Sequence, residues 1–206
     1  MTTRIVLVRH ASHDRLGKVL CGRMEGVALG EAGLAEAAEL AGRLGGAPLA
    51  AVYSSPLQRA RQTAEAIAAA QNLELRIDAD LDELDFGDWS GRSFEALHAD
   101  PTWRRWNLRR LYARPPGGET MLEAQVRAAR FLARAHADHP DGTAVAVSHG
   151  DLIKAALAFV LGLPLEFHGR LEIGPASTSC IAAGEAGMRV LSMNERAGAG
   201  AAAWPA

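Results

Sequence analysis

Short β-branched runs alternate along the chain with longer Ala-, Leu- and Glu-rich stretches, and this alternation is what most narrows the possible folds. Strands are predicted at Ile5–Val8, Ala51–Tyr53, Leu73–Ile77 and Thr143–Val147, and two more, Ser179–Ala182 and Arg189–Met193, flank a Gly-containing turn. Between them, helices are predicted over Gly30–Leu44, Pro56–Gln71, Glu119–His139 and Asp151–Leu161. In the second helix Leu57, Ala60, Ala64 and Ile67 recur at three- and four-residue steps; in the third, Leu122, Val126, Ala129 and Ala133 form the predicted buried stripe. Strands alternating with helices imply βαβ units, hence a three-layer α/β/α sandwich with a mostly parallel sheet. Such sheets bind ligands beyond the carboxyl ends of their strands, at a topological switch point.

Residues 87–118 break the pattern. They hold three of the four tryptophans, Trp89, Trp103 and Trp106, together with many arginines, and end in Pro115-Pro116-Gly117-Gly118. They are expected to form a small helical insertion, a lid over the strand ends, within one domain spanning residues 1–196. The Ala/Gly-rich segment 197–206 is expected to be a disordered tail.

Composition excludes some classes of partner. The formal net charge is -2, so no global basic field points to nucleic acid or an anionic membrane, and any anion must be met by a local cluster. The stretch Trp103-Arg104-Arg105-Trp106, with Arg109, Arg110 and Arg114, reads better as a helix with inward tryptophans and solvated arginines than as a nucleic-acid surface. No run reaches the roughly 20 apolar residues of a membrane span. Cys21 and Cys180 form no CxxC pair and read as free thiols in a reducing, cytoplasmic setting.

Three segments place basic groups just past a predicted strand: Arg9-His10, Ser55-Pro56-Leu57-Gln58-Arg59, and Ser148-His149-Gly150. If the strands are parallel neighbours, the three converge. Ser55 suits a helix N-cap, with Pro56 in the first turn and Gln58 completing a capping box. Arg59 would then present a guanidinium fork to an anion at the positive end of a helix, and the amide of Gly150 could do the same from the next one. Two arginines and two histidines make a pocket for a phosphoryl dianion. One histidine can stay neutral and keep a lone pair for phosphorus, while the second can be charged. A leaving alkoxide needs a proton from a carboxyl group kept neutral. Glu83 is the best candidate, with Asp82 and Asp85 as rivals. The arginines repel a cation and no HxxxH spacing occurs, so neither metal nor cofactor is expected.

Taken in order, Leu7-Val8-Arg9-His10, Ser54-Ser55-Pro56-Leu57-Gln58-Arg59-Ala60, Glu83 with Phe86-Gly87-Asp88-Trp89, Gly118-Glu119 and Val147-Ser148-His149-Gly150 resemble the histidine phosphatase superfamily, in its phosphoglycerate-mutase-like branch. The resemblance implies that His10 is the phosphorylated nucleophile. It implies that Arg9, Arg59 and His149 hold phosphoryl oxygens, that Glu83 is the proton donor, and that no metal takes part. The implied activity is phosphomonoester hydrolysis of a small phosphorylated metabolite through phosphohistidine. The alternatives are a phosphoglycerate-mutase-type phosphomutase and a non-catalytic phospholigand-binding relative. The family often reads Arg-His-Gly-x-Thr/Ser-x-x-Asn. Here Ala11 replaces the Gly, His13 stands at the Thr/Ser position and Leu16 replaces the Asn, so His13 and Arg15 are possible substitute substrate contacts. Sugar phosphates, phosphoglycerates, nucleotide-pathway intermediates and α-ribazole phosphate are all compatible substrates.

Overall fold

The computed structural model describes residues 1–196; the predicted tail lies outside the described residues. One six-stranded sheet is formed by β1 (Thr2–Arg9), β2 (Ala51–Ser54), β3 (Leu75–Ile77), β4 (Thr143–Ser148), β5 (Thr178–Gly184) and β6 (Gly187–Glu195), in the order β3-β2-β4-β1-β5-β6. The pairs β3–β2, β2–β4 and β4–β1 are parallel, while β5 is antiparallel to both β1 and β6. The sheet is therefore mostly parallel.

Two-residue alternation sorts each central strand between two helical layers. Val6, Val8, Val145 and Val147 pack toward α1 (Glu31–Leu44) and α2 (Gln58–Ala70). Ile5, Leu7, Ala144 and Ala146 pack toward α5 (Met121–Asp138) and α6 (Gly150–Leu161). This is the expected three-layer sandwich. The chain leaves β1 toward β2 on one side and reaches β5 after β4 on the other, so the switch point falls between β1 and β4. Their last residues, Arg9 and Ser148, are in register, and the amide of His10 donates to Ser148 O at 2.9 Å. Parallel pairing alone thus sets His10 beside His149.

The helices depart from the sequence reading in two places. α2 starts at Gln58 with Leu57 in the cap position, so Ser55 is not its N-cap and Gln58 completes no capping box. The Ser55 hydroxyl is engaged by His149 and Asp82, which outweighs its local propensity. The capping box lies instead at α5, where Thr120 and Glu123 bond reciprocally. The buried stripe of α5 is Met121, Ala124, Arg127, Ala128, Phe131, Leu132 and Ala135. Leu122 and Val126 are 49% and 58% exposed, Ala133 is exposed and Ala129 half-buried. The predicted stripe avoided Arg127, but its guanidinium is satisfied inside, so the helix turns the bulkier Phe131–Leu132 face inward.

In the insertion, a one-turn 3-10 segment (Gly87–Trp89) precedes α3 (Phe94–Ala99) and α4 (Pro101–Leu108). Trp89, Trp103 and Trp106 pack ring to ring with centroids 5.1 to 5.5 Å apart, in the same core as α5. The two ends of the insertion are clasped. Asp88 N donates to Pro116 O and Glu119 N to Asp85 O, both at 2.9 Å. Gly87 is at φ +51, and a Cβ there would lie 2.0 Å from Pro116 O, so no other residue fits. The insertion is also sewn to the loop after β1: Phe94 N donates to Lys18 O and Leu20 N to Arg92 O. It therefore lies over the strand ends.

Candidate active site

A cavity of about 370 Å³ opens at the switch point. Arg9, His10, Arg59 and Glu83 line it, with Gly150 at the start of α6 and His13 from the loop after β1.

His10 is only 3% exposed. Its Nδ1 lies 2.8 Å from Ala11 O. A carbonyl can only accept, so Nδ1 carries the proton and Nε2 keeps the lone pair. Arg59 Nε donates to that Nε2 at 3.3 Å, which likewise requires a neutral ring. Burial, and next the Arg59 charge, hold the His10 imidazole well below its ordinary pKa. The outcome is a neutral imidazole whose Nε2 keeps its lone pair, met as folded only by a long contact from Arg59, and it follows from one backbone carbonyl and one guanidinium.

Arg59, in the first turn of α2, is 2% exposed. Its Nη2 donates to Gly22 O at 2.7 Å and to His149 Nδ1 at 3.1 Å. Arg9 Nη1 donates to Ile173 O at 2.6 Å. Arg59 Nη1, Arg9 Nε and His13 Nδ1 are buried and have no hydrogen-bond partner among the described residues. Buried polar atoms left unmatched are costly, about 1–3 kcal/mol each. Three residues bearing such atoms line this one cavity, which fits an oxyanion ligand.

His149 is fully buried and sits behind the cavity wall, its ring centroid 5.1 Å from that of His10. Arg59 donates to its Nδ1, so the ring as folded is neutral; burial and Arg59 also hold its pKa well below the usual value. The expectation of a charged second histidine is not met in this arrangement.

Of the three rival carboxyls, Glu83 alone lines the cavity. Burial, and then the charge of Asp151, raise it to about 7. Asp82 instead accepts from Ser55 at 3.1 Å, and Asp85 accepts from Gly87 N at 2.9 Å. His13 lines the cavity with its ring 5.4 Å from that of His10, and burial and Arg59 lower its pKa to about 4. Arg15 is exposed and is not part of the cavity wall. Ala11 is accommodated at the family's glycine position, its amide donating to Thr63 Oγ1 at 3.0 Å, while Leu16 turns its part of the wall apolar.

Sequence reasoning missed the residues that hold the Glu83 segment. Arg127 donates to Asp80 O (2.9 Å), Asp82 O (2.6 Å), Glu83 O (3.1 Å) and the Glu119 carboxylate (2.6 Å). Arg23 adds bonds at 2.8 Å to Glu83 O and Glu119. Arg110, expected to be solvated, packs over Trp106 at 4.0 Å and pairs with Asp151 at 3.1 Å, tethering the insertion to α6. Arg127 is one of three arginines on α5, with Arg130 and Arg134, and nothing local in the sequence marks it as the buried one.

Fold and site together define an α/β protein with a buried neutral histidine and two arginines at a cavity on its switch point. The chain belongs to the histidine phosphatase superfamily (branch 1), whose family model matches residues 5–196. It is 36% identical over 181 residues to a bifunctional protein of Mycobacterium tuberculosis, covering 86% of this chain and 49% of that one, so it spans about half the length of that relative. It is 32% identical over 196 residues to phosphoserine phosphatase 1 of Hydrogenobacter thermophilus, covering 93% and 92% of the two chains. Among solved structures, the mycobacterial glucosyl-3-phosphoglycerate phosphatase superposes with a TM-score of 0.86 at 28% identity, covering 94% and 99%. No helix among the described residues is long and apolar enough to cross a membrane.

Proposed function

We propose that the chain is a phosphomonoester hydrolase that transfers the phosphoryl group of a small phosphorylated metabolite to His10 Nε2. The observation that carries this reading is the His10 ring: Nδ1–H held by Ala11 O, with the lone pair of Nε2 beside a buried guanidinium whose Nη1 has no partner among the described residues. In the first step Nε2 forms a bond to phosphorus while the ester P–O bond breaks, and the Glu83 carboxyl gives its proton to the leaving oxygen. In the second, the Glu83 carboxylate takes a proton from water, the oxygen of that water bonds to phosphorus, the N–P bond breaks, and phosphate leaves. Arg9, Arg59 and the Gly150 amide receive the equatorial oxygens, so that developing charge meets fixed donors. A Glu83 pKa near 7 suits both roles.

The relatives named above are phosphatases for phosphoserine and glucosyl-3-phosphoglycerate, which supports hydrolysis over transfer to a second hydroxyl. Cytoplasmic residence fits the two buried free cysteines. The test is a phosphomonoester panel without added metal, comparing wild type with His10→Ala. Wild type should release phosphate and acquire acid-labile phosphate on the protein, and the variant should do neither. Full activity in the variant sinks the reading, and interconversion of 2- and 3-phosphoglycerate without phosphate release would replace it with a mutase.

A further inference from the structure

Beyond the phosphoryl end of the cavity, one charged side chain of the wall has nothing to bind. Lys154 lies on α6 one turn after Gly150, and the two line the cavity together with Asp151. Residues four apart share a helix face, and helical side chains lean back toward the N-terminus, so this lysine reaches over the turn that begins at Gly150. Gly150 stands close to Arg9: a Cβ there would sit 3.6 Å from Arg9 Cζ. Lys154 is half-buried, yet it makes no hydrogen bond and no ion pair among the described residues. Its natural partner is taken. Asp151 stands three residues before it, a spacing at which helical charges pair, but the Asp151 carboxylate accepts from Arg110 Nη1 at 3.1 Å. His168, the other titratable group beside Lys154, is buried, and burial lowers its pKa. Arg110 and Asp151 neutralise each other, which leaves Lys154 as the uncompensated charge on this side. The remaining acid of the wall, Glu172, is exposed, and its field falls on Arg9.

We propose that Lys154 is a specificity-determining residue whose ammonium binds a carboxylate on the leaving group, so that the site favours phosphomonoesters of hydroxy acids over those of plain alcohols. This rests on the phosphatase reading. A helical turn rises about 5.4 Å, roughly the span from a phosphorus atom to a carboxylate just beyond the ester carbon. With Arg9 and Arg59 engaged by the phosphoryl oxygens, Lys154 is the cation that α6 offers to a second anion. A lone ammonium is a point charge and matches a single negative charge. A second phosphoryl dianion is better held by a guanidinium fork, and here it would also face Asp151. Half-burial has already removed part of the hydration of the ammonium, and no bond within the protein has to break for it to receive the carboxylate.

The test compares substrates that differ at that group: 3-phosphoglycerate against glycerol 3-phosphate, and phosphoserine against phosphoethanolamine. Wild type should show a kcat/KM about 10- to 100-fold higher for the carboxylate member of each pair, as a charge-assisted hydrogen bond predicts. Lys154→Met keeps an apolar stem and removes the charge. It should erase the preference through KM, with kcat on the carboxylate substrates little changed, and Lys154→Arg should restore most of it. Equal losses on both members of a pair in Lys154→Met would mark a structural role and overturn the proposal, as would a wild type without the preference. A preference for propane-1,3-diol bisphosphate over its monophosphate that exceeds the carboxylate preference and vanishes in Lys154→Met overturns the choice of carboxylate. The same pairs are titrated by calorimetry against His10→Ala and His10→Ala/Lys154→Met, which read binding without turnover. Binding that needs both the carboxylate and Lys154, in a chain whose wild type releases no phosphate, would sink the phosphatase reading and leave the Lys154 site standing.

Discussion

The floor of the cavity consists of Arg9, His10 and Arg59, at the end of β1 and in the first turn of α2. Its outer wall consists of Leu16, Val19, Phe86 and Phe94, carried by the loop after β1, by the insertion and by the residue just before it. On the floor, groups sit where burial harms them: guanidiniums with unpartnered nitrogens and an imidazole stripped of its proton. The wall makes no such sacrifice. Phe86 is buried beside Trp103 and Trp106, and Phe94 joins the same core. The floor keeps polar groups buried at a cost in stability, while the wall is ordinary apolar packing that also shapes a pocket.

This contrast can be broken most sharply at Arg59. Arg59→Met should lower kcat/KM by about 10³- to 10⁵-fold, as loss of a charge-stabilising arginine does in phosphoryl transfer. It should also raise Tm, because it removes a buried cation with an unmatched N–H, and added phosphate should no longer stabilise the variant. A fall in Tm would show that the floor is packed for stability after all.

Glu83→Gln should cost about 10²- to 10⁴-fold in kcat on alkyl phosphates, and much less on aryl phosphates that leave unaided. Since Glu83 is raised from 4.5 to about 7 by burial and Asp151, its neutral form favours the fold. That contribution is fully present below pH 4.5 and is lost as pH rises through about 7. The variant should therefore melt above wild type at pH 8 and with it at pH 4, and wild-type turnover of alkyl phosphates should decline above pH 7.

On the wall, Trp106→Ala should cost about 3–5 kcal/mol of stability by denaturant titration, as a buried aromatic replaced by a cavity does. The smallest effect is expected for Phe94→Ala: KM for bulky apolar phosphomonoesters should rise about 5- to 10-fold while inhibition by inorganic phosphate stays unchanged. A loss of phosphate affinity there would mean that floor and wall are not separate.

Where local pattern and tertiary need agree, the sequence was readable. The six strands, the four main helices and the inward tryptophans follow from period and composition, and His10, Arg59, Glu83 and the start of α6 fall where the motifs place them. The reading failed where one residue serves a distant partner. Ser55 looks like a cap but bonds His149, 94 positions away. Arg127 looks like a surface residue of α5 but holds the Glu83 loop, 44 positions away. Arg110 looks solvated but reaches Asp151, 41 positions away.

The sequence by itself determined the layers and the chemical groups available, because hydrophobic period and residue type are local properties. Which nitrogen of His10 bears the proton, which of three neighbouring carboxyls lines the cavity, and which face of α5 is buried were settled only by tertiary structure. Each depends on a hydrogen-bond partner or a loss of solvent supplied by another part of the chain, and so has no local signature.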